Sequence, residues 1–307
     1  MFVYLMQRFL SAGPVLLGLT LLVFSMVHLV PGDPAEMMLG ESAVSQEVID
    51  NMREQLGLNR PLHEQYLGYL AGLGRGDLGT SFLARRSVAE MIGRVLPSTI
   101  YLTFAGLGVA ILLGVLLGVA AAVKHNSWLD NLTMVFALIG VSMPSFWLGL
   151  MLIFTFSLQL GWFPATGSGG IERLVLPAVT LGFAGSAVIA RMVRSSMLEV
   201  FSQDYVRTAM AKGLGQGTII VKHVLKNAMI PVLTVIGLEF GRLLSGTVVI
   251  EVVFSRPGIG RLLVDSILKK DFIVVQGVVL LSACFYLFVN LLVDLSYGLA
   301  DPRIRYS

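Results

Sequence analysis

Residues 98–123 read STIYLTFAGLGVAILLGVLLGVAAAV, 26 positions without one charged side chain. At about 1.5 Å per residue the run makes a helix of about 39 Å. The hydrocarbon core of a bilayer is about 30 Å thick. No water reaches the backbone there, so its polar groups must pair within the segment, which makes the run a membrane helix. Working outward, five more runs qualify or nearly so: Phe9–Val30, Leu132–Leu160 with Pro144 near its middle, Leu174–Ala190, Ala228–Phe254 and Phe272–Val293. The fifth run of the six carries the only internal charges, Glu239, Arg242 and Glu251.

Composition agrees. The 307 residues are 55% hydrophobic and 13% charged, where a soluble domain carries about a quarter charged residues. The net charge of +3 does not indicate a nucleic-acid partner, because the basic residues sit on short loops between apolar runs. The single cysteine, Cys284, excludes an intrachain disulfide and is read as a small buried hydrophobe. Six spans put both termini on one side. Arg8, Lys124, six Lys/Arg in 191–226, Arg303 and Arg305 share that side, ten in all, against Arg173, Arg256, Arg261, Lys269 and Lys270. The positive-inside rule makes the termini cytoplasmic. The first run is longer than a signal-peptide core and VPGDPAEM offers no cleavage site, so it is expected to be retained.

The expected organisation is therefore 1–30 as N-terminus and first span, 31–97 as an extracytoplasmic helical segment, 98–297 as a five-helix core, and 298–307 as a cytoplasmic tail. Within 31–97, Val48, Ile49, Met52 and Leu56 keep helical spacing up to Gly57. A second helix is expected after Asn59, with Leu62, Tyr66, Tyr69 and Leu73 on one face. Gly74–Ser81 reads as a turn. Ser87 and Glu90 read as a capping box for a helix along Val88, Met91 and Val95. In the second span Ala110, Gly114 and Gly118 form a small-residue stripe, which suits packing within this chain or a subunit contact.

Catalytic patterns are missing. The sequence has no H-E-x-x-H, no G-x-S-x-G and no G-x-x-x-x-G-K-[ST]. The four histidines, His28, His63, His125 and His223, are scattered. The chain has no ATP loop of its own, so energy for any work comes from elsewhere.

The segment 195–228 is the longest cytoplasmic loop. Met197, Leu198, Phe201, Tyr205 and Met210 lie along one helical side, continuing from Arg191. Ala209 and Gly213 are four apart and are expected to leave a notch. Gly213, Gly215 and Gly217 permit a turn, and Thr218 is expected to cap a second helix carrying Lys222 and Lys226. Such a hairpin suits docking, or merely a solvated surface.

DYVRTAMAKGLGQGTIIVKHVLKNAMIP (204–231) resembles the cytoplasmic loop of permease subunits in ATP-binding-cassette importers. LVPGDPAEMMLG, LGLNRPLHEQYLGYL, GDLGTSF, VSMPSFWLGL, VLPAVTLG, ARMVRSSMLEV, EVVFSRPGIGRLLVDSI and DPRIRYS resemble, in order, the first-permease type of the peptide/nickel branch. The likeness spans nearly the whole chain. It implies an all-α integral membrane protein with six transmembrane helices, the type I importer permease fold, in a bacterial inner membrane. It implies that the loop docks into a cleft on an ATPase, with Ala209 and Gly213 matching the family's alanine and glycine. Asp204, Arg207, Lys212, Leu214 and His223 are expected neighbours of that contact. Residues 223–226 depart from the Ile-x-Leu-Pro end of many importers, and the proline comes later, at Pro231. Implied partners are a second homologous permease, two ATPase subunits that hold ATP and Mg, an extracytoplasmic binding protein and lipid, with no cofactor and no metal in this chain. Di- or oligopeptides are the implied solute; nickel complexes, glutathione and opine-like compounds are alternatives.

Ser142, Met143 and Pro144 in the third span, with Glu239 and Arg242 in the fifth, are candidates for the translocation pathway or its gate; Glu239 and Arg242, three apart, are alternatively an ion pair that locks the fifth span against the second permease. Asn290 and Asp294, four apart, are expected to tie helices together. A membrane enzyme is disfavoured by the missing motifs. An ion-coupled carrier working alone would carry more membrane carboxylates and paired repeats.

Overall fold

A computed structural model describes residues 2–29, 36, 45–55, 57–81 and 83–300, with side chains over 12–29, 36, 45–51, 53–54, 57–81, 83–289 and 291. The described elements are α1 (Phe2–Leu29), α2 (Gln46–Gln55), α3 (Leu62–Gly74), β1 (Thr80–Ser81), β2 (Arg86–Ser87) and α4 (Val88–Val123). Then come α5 (Trp128–Ser142), α6 (Ser145–Gln159), α7 (Glu172–Phe201), α8 (Asp204–Ala211), α9 (Gln216–Val253), α10 (Ile259–Leu268) and α11 (Phe272–Ala300). Among the described residues, five helices are long and apolar enough to cross a membrane, or six if the bent pair α5–α6 forms one span. The chain divides into two compact units, one joining the part up to Pro97 to Arg261–Leu291, the other built on Ser98–Gly260.

In the first unit, α2 ends where Gly57 takes φ +68, with the Gly57 and Leu58 amides donating to the carbonyls of Glu54 and Arg53. This is a Schellman close, which needs a left-handed residue after the helix. Helix α3 lies along the second half of α1. The Thr20 and Tyr66 hydroxyls are 2.9 Å apart, and His28 Nε2 is 3.1 Å from Gln65 Oε1. The stretch read as a turn, Gly74–Ser81, turns at 75–76 and ends in β1, which pairs antiparallel with β2 further on. Ser81 donates 2.5 Å to Asp271, fastening the hairpin to the start of α11. The expected capping box does not form. The Val88 amide donates to the Gly79 carbonyl, and Glu90 instead accepts 2.6 Å from Arg94. The helix along Val88, Met91 and Val95 and the span beginning at Ser98 are one helix, α4, which runs through Pro97. Proline removes one hydrogen bond there, which a long membrane helix tolerates.

In the second unit α7 is the central helix, and the helix built on the apolar run Leu174–Ala190 extends to Phe201. The small-residue stripe of α4 faces it. A Cβ on Gly114 would lie 2.7 Å from Ile189 Cβ, and one on Gly118 would lie 2.6 Å from the Ala190 carbonyl. From the other side, a Cβ on Gly182 would strike the Gly106 carbonyl. Of the two readings of this stripe, packing within the chain is the one observed.

The third span is not one rod. Its halves α5 and α6 are bent by 107°. Each has 15 residues, about 22 Å of helix, too short to cross alone. Met143, held by the following proline away from the helical region, is extended at φ −80, ψ 126. Glycines let both arms pack closely: a Cβ on Gly140 would lie 3.0 Å from Ala187 Cβ, and one on Gly149 would lie 3.2 Å from the side chains of Phe254 and Val253. Cys284, expected to be buried, is exposed on α11.

Candidate functional site

The segment after α7 is where the sequence concentrated its expectations. A helix running on from Arg191 was expected; α7 stops at Phe201 and α8 begins after a break at 202–203. The hydrophobic spacing is nonetheless real. Val206 (0% exposed) and Ala209 (7%) of α8, with Ile219 and Val224, are buried in one core with Ile189, Val193 and Met197 of α7 and Ala228 and Val232 of α9. Ala110 and Ala122 of α4 join the same core. The segment is thus packed onto the ends of three long helices.

This placement corrects the notch. Ala209 faces inward and does not line an open surface with Gly213. Gly213 lies beyond α8, at φ +74. Its amide donates 2.9 Å to the Met210 carbonyl, and the Leu214 amide 3.4 Å to the Ala209 carbonyl, a second Schellman close. The glycine is required by left-handed backbone, and a Cβ there would meet nothing within 4 Å. Thr218 does not cap a separate helix. The N-cap is Gly215, and the helix continues through a π-helical stretch, Ile219–Leu225, directly into the rest of α9.

The outward side of the segment carries Tyr205 (44% exposed), Met210 (50%) and Leu214 (41%). Asp204 and Arg207 are also outward, 3.8 Å apart and highly exposed, so their pairing contributes little. Lys212 is the C-cap of α8. The His223 carbonyl accepts 2.9 Å from Asn227 Nδ2, which also donates 2.8 Å to the Tyr205 hydroxyl, pinning α8 to α9. A cavity of about 380 Å³ opens here, lined by Phe201, Met210, Leu214, Gln216, Ile219 and Ile220 among others.

Two polar clusters escaped the sequence reading. Asp130, at the start of α5 with 2% of its side chain exposed, accepts two hydrogen bonds from Arg194 of α7, at 2.5 and 2.8 Å. It also accepts from the Asn126 amide at 3.0 Å, and His125 Nδ1 lies 3.1 Å away. Arg194 had been counted only as a topological charge. Glu251, 0% exposed, accepts 2.6 Å from Thr99 and 2.8 Å from the Gly260 amide. Its carboxylate thereby caps the start of α10, where negative charge is favoured. A Cβ on Gly258 would strike that carboxylate. Arg256 is buried beside it, with Nε and Nη1 unpaired among the described residues. Burial lowers its pKa and the Glu251 charge opposes that shift.

In α9, Arg242 Nε and Nη2 donate to one oxygen of Glu239, at 2.8 and 2.6 Å. The pair is asymmetric: 52% of the Arg242 side chain is exposed, against 8% for Glu239. Gly185 of α7 makes room for it, since a Cβ there would lie 3.1 Å from Glu239. Ser142, Met143 and Pro144 form the bend between α5 and α6. Asn290 and Asp294 lie outside the residues whose side chains are described.

A polytopic helical chain without an ATP loop, carrying a compact segment packed onto the ends of its long helices, is built as a transport permease. The chain belongs to the family of binding-protein-dependent transport system inner membrane components, which matches residues 114–306; the N-terminal part of such membrane components matches residues 1–103. The dipeptide transport system permease protein DppB of Alkalihalophilus pseudofirmus is 46% identical over 334 residues, covering 100% of both chains. The glutathione transport system permease proteins GsiC of Salmonella typhimurium and Escherichia coli are 46% and 44% identical over 304 residues, covering 99% of each chain. Among solved structures, an inward-facing MetNI methionine ABC transporter chain aligns at TM-score 0.59 and 18% identity, over 69% of this chain and 97% of that one. An amino acid ABC transporter aligns at 0.54 and 16%, over 68% and 94%. The fold is that of type I ABC-importer permeases, and the protein is a permease subunit of such an importer, not itself an ATPase.

Proposed function

We propose that this permease, with a second homologous permease, forms the pathway by which an extracytoplasmic binding protein's di- or oligopeptide cargo enters the cell. Two ATPase subunits, holding ATP and Mg, drive it through the 204–226 segment. Both termini are cytoplasmic. The observation that carries this reading is the shared core: Val206 and Ala209 of α8, with Ile219 and Val224 at the start of α9, are buried with residues of α4, α7 and the next turns of α9. A push on α8 therefore reaches three long helices through close-packed contacts rather than through a flexible loop. The outward side chains of the segment, Tyr205, Met210 and Leu214, are the docking surface. The peptide class is supported by relatives of 44–46% identity over essentially the whole chain. Glutathione, itself a peptide-like solute, is the second reading for the same reason. In proteoliposomes holding all subunits, uptake of labelled dipeptide should require ATP hydrolysis; uptake that persists without the ATPases would indicate an ion-coupled carrier.

Glu239 and Arg242 belong to the pathway. A charge at mid-span costs about 2.5–3.5 kcal/mol on insertion scales, and charges in spans face water-filled cavities or partners. The half-exposed Arg242 guanidinium has N–H groups to spare for a peptide carboxylate. Glu239→Gln and Arg242→Gln should each lower uptake about tenfold or more with normal assembly, since charge-assisted hydrogen bonds are among the strong ones. Assembly lost in the single variants and restored in the double would make the pair a structural tie instead.

A further inference from the structure

The permease role leaves one cavity unused. It measures about 350 Å³ and is lined in part by the last turns of α1, by α3 and by the first turn of α11. Phe24, Val27, Phe272 and Ile273 give it an apolar wall. Arg60, Glu64 and Asp77 bring both signs of charge to it. Arg60 and Glu64 have no ion-pair partner among the described residues. Tyr69 also lines it, and its hydroxyl is buried without a hydrogen-bond partner among the described residues. Burial, with a smaller effect from Tyr66, pushes the Tyr69 pKa up to about 12, so the phenol stays neutral and keeps its proton to donate. A buried donor left unsatisfied is destabilising, and an acceptor in the cavity would relieve it.

The neighbouring surface points to the class of occupant. Around these turns α1 exposes Leu21, Leu22, Met26 and Leu29, at 53%, 58%, 42% and 78%, in a helix apolar enough to span a membrane. Leu21, three residues before Phe24, is on the cavity's side of α1, while Leu22, Met26 and Leu29 are on its far side; the cavity thus meets surface that faces acyl chains at Leu21, and its charged residues suit a group carrying both a cation and an anion. We propose that it holds the headgroup and upper chain of a zwitterionic phospholipid from the outer leaflet. The guanidinium of Arg60 and the Tyr69 hydroxyl serve the phosphate, and the carboxylates of Glu64 and Asp77 serve the ammonium. An anionic headgroup would meet those carboxylates unpaired. The leaflet rests on the orientation proposed above, whereas occupancy is read without any transport assay.

The test is native mass spectrometry of the complete transporter in detergent, with phosphatidylethanolamine, phosphatidylglycerol or a dipeptide added. Gly68→Leu is the filling variant. Gly68 lines the cavity, is helical, and a Cβ there meets nothing within 4 Å; leucine in a helix interior is also favoured over glycine. Phosphatidylethanolamine should be retained over phosphatidylglycerol, weakened about tenfold by Arg60→Gln, about fivefold by Tyr69→Phe, and expelled by Gly68→Leu. Equal retention of both lipids, indifferent to all three variants, would overturn the proposal. So would a dipeptide that binds and is expelled by Gly68→Leu while lipid is unchanged, which would make this a solute subsite.

Discussion

Asp130→Ala should lower the stability of the folded permease by about 3 kcal/mol, the lower part of the range for breaking a buried ion pair. The side chain is 2% exposed, and removing it strips the Arg194 guanidinium of two charge-assisted bonds. Arg194 keeps 23% exposure, and water reaching it moderates the loss. The Asn126 amide also loses its acceptor, at a residue already held at φ +61. Arg194→Ala should be comparably damaging, because it leaves the carboxylate buried without its main partner. Asp130→Leu with Arg194→Met should recover much of the loss, since a buried pair replaced by apolar groups of similar size is often neutral. Thermal unfolding midpoints of the detergent-purified transporter check this. Single variants that melt like the parent would show that the pair does not fasten α5 to α7.

Gly213→Trp should abolish uptake while leaving the permease folded, and Gly213→Ala is the comparison that gives the result its meaning. Both put a side chain on left-handed backbone, at about 1–2 kcal/mol. Neither clashes within the chain at the Cβ, which would meet nothing within 4 Å. They differ in bulk beside Met210 and Leu214. If the segment docks on the ATPase as proposed, the alanine variant keeps most transport. The tryptophan variant then loses it, with hydrolysis no longer tied to uptake. ATPase and uptake rates from the same proteoliposomes decide; equal loss in both variants would assign the effect to backbone strain.

Much of this was legible because membrane helices announce themselves by length and lack of charge. Proline was not legible in the same way. Pro97 and Pro144 both sit in apolar surroundings, yet α4 continues through the first and the chain bends by 107° at the second. What differs is tertiary: Gly140 and Gly149 let both arms of the bend press closely on neighbours, and no local pattern reports that. The loop's helical spacing was readable, but alanine suits a core as well as a surface, so the inward turn of Ala209 was not. Asp130 and Arg194 are 64 positions apart, and Glu251 and Thr99 are 152 apart. Each residue looked like an ordinary loop charge or an isolated polar group until the fold joined them.

The role of the 204–226 segment is tested most directly by cross-linking in the assembled transporter. Cys284 is the single cysteine, so Cys284→Ser gives a clean background for Leu214→Cys, with Ile171→Cys as control. Ile171 is 80% exposed and immediately precedes α7 at the end away from the segment. With a short bifunctional reagent, the account predicts efficient linkage from position 214 to an ATPase subunit and none from position 171. A position 214 that stays unlinked and open to a water-soluble thiol reagent in the complete complex would contradict it.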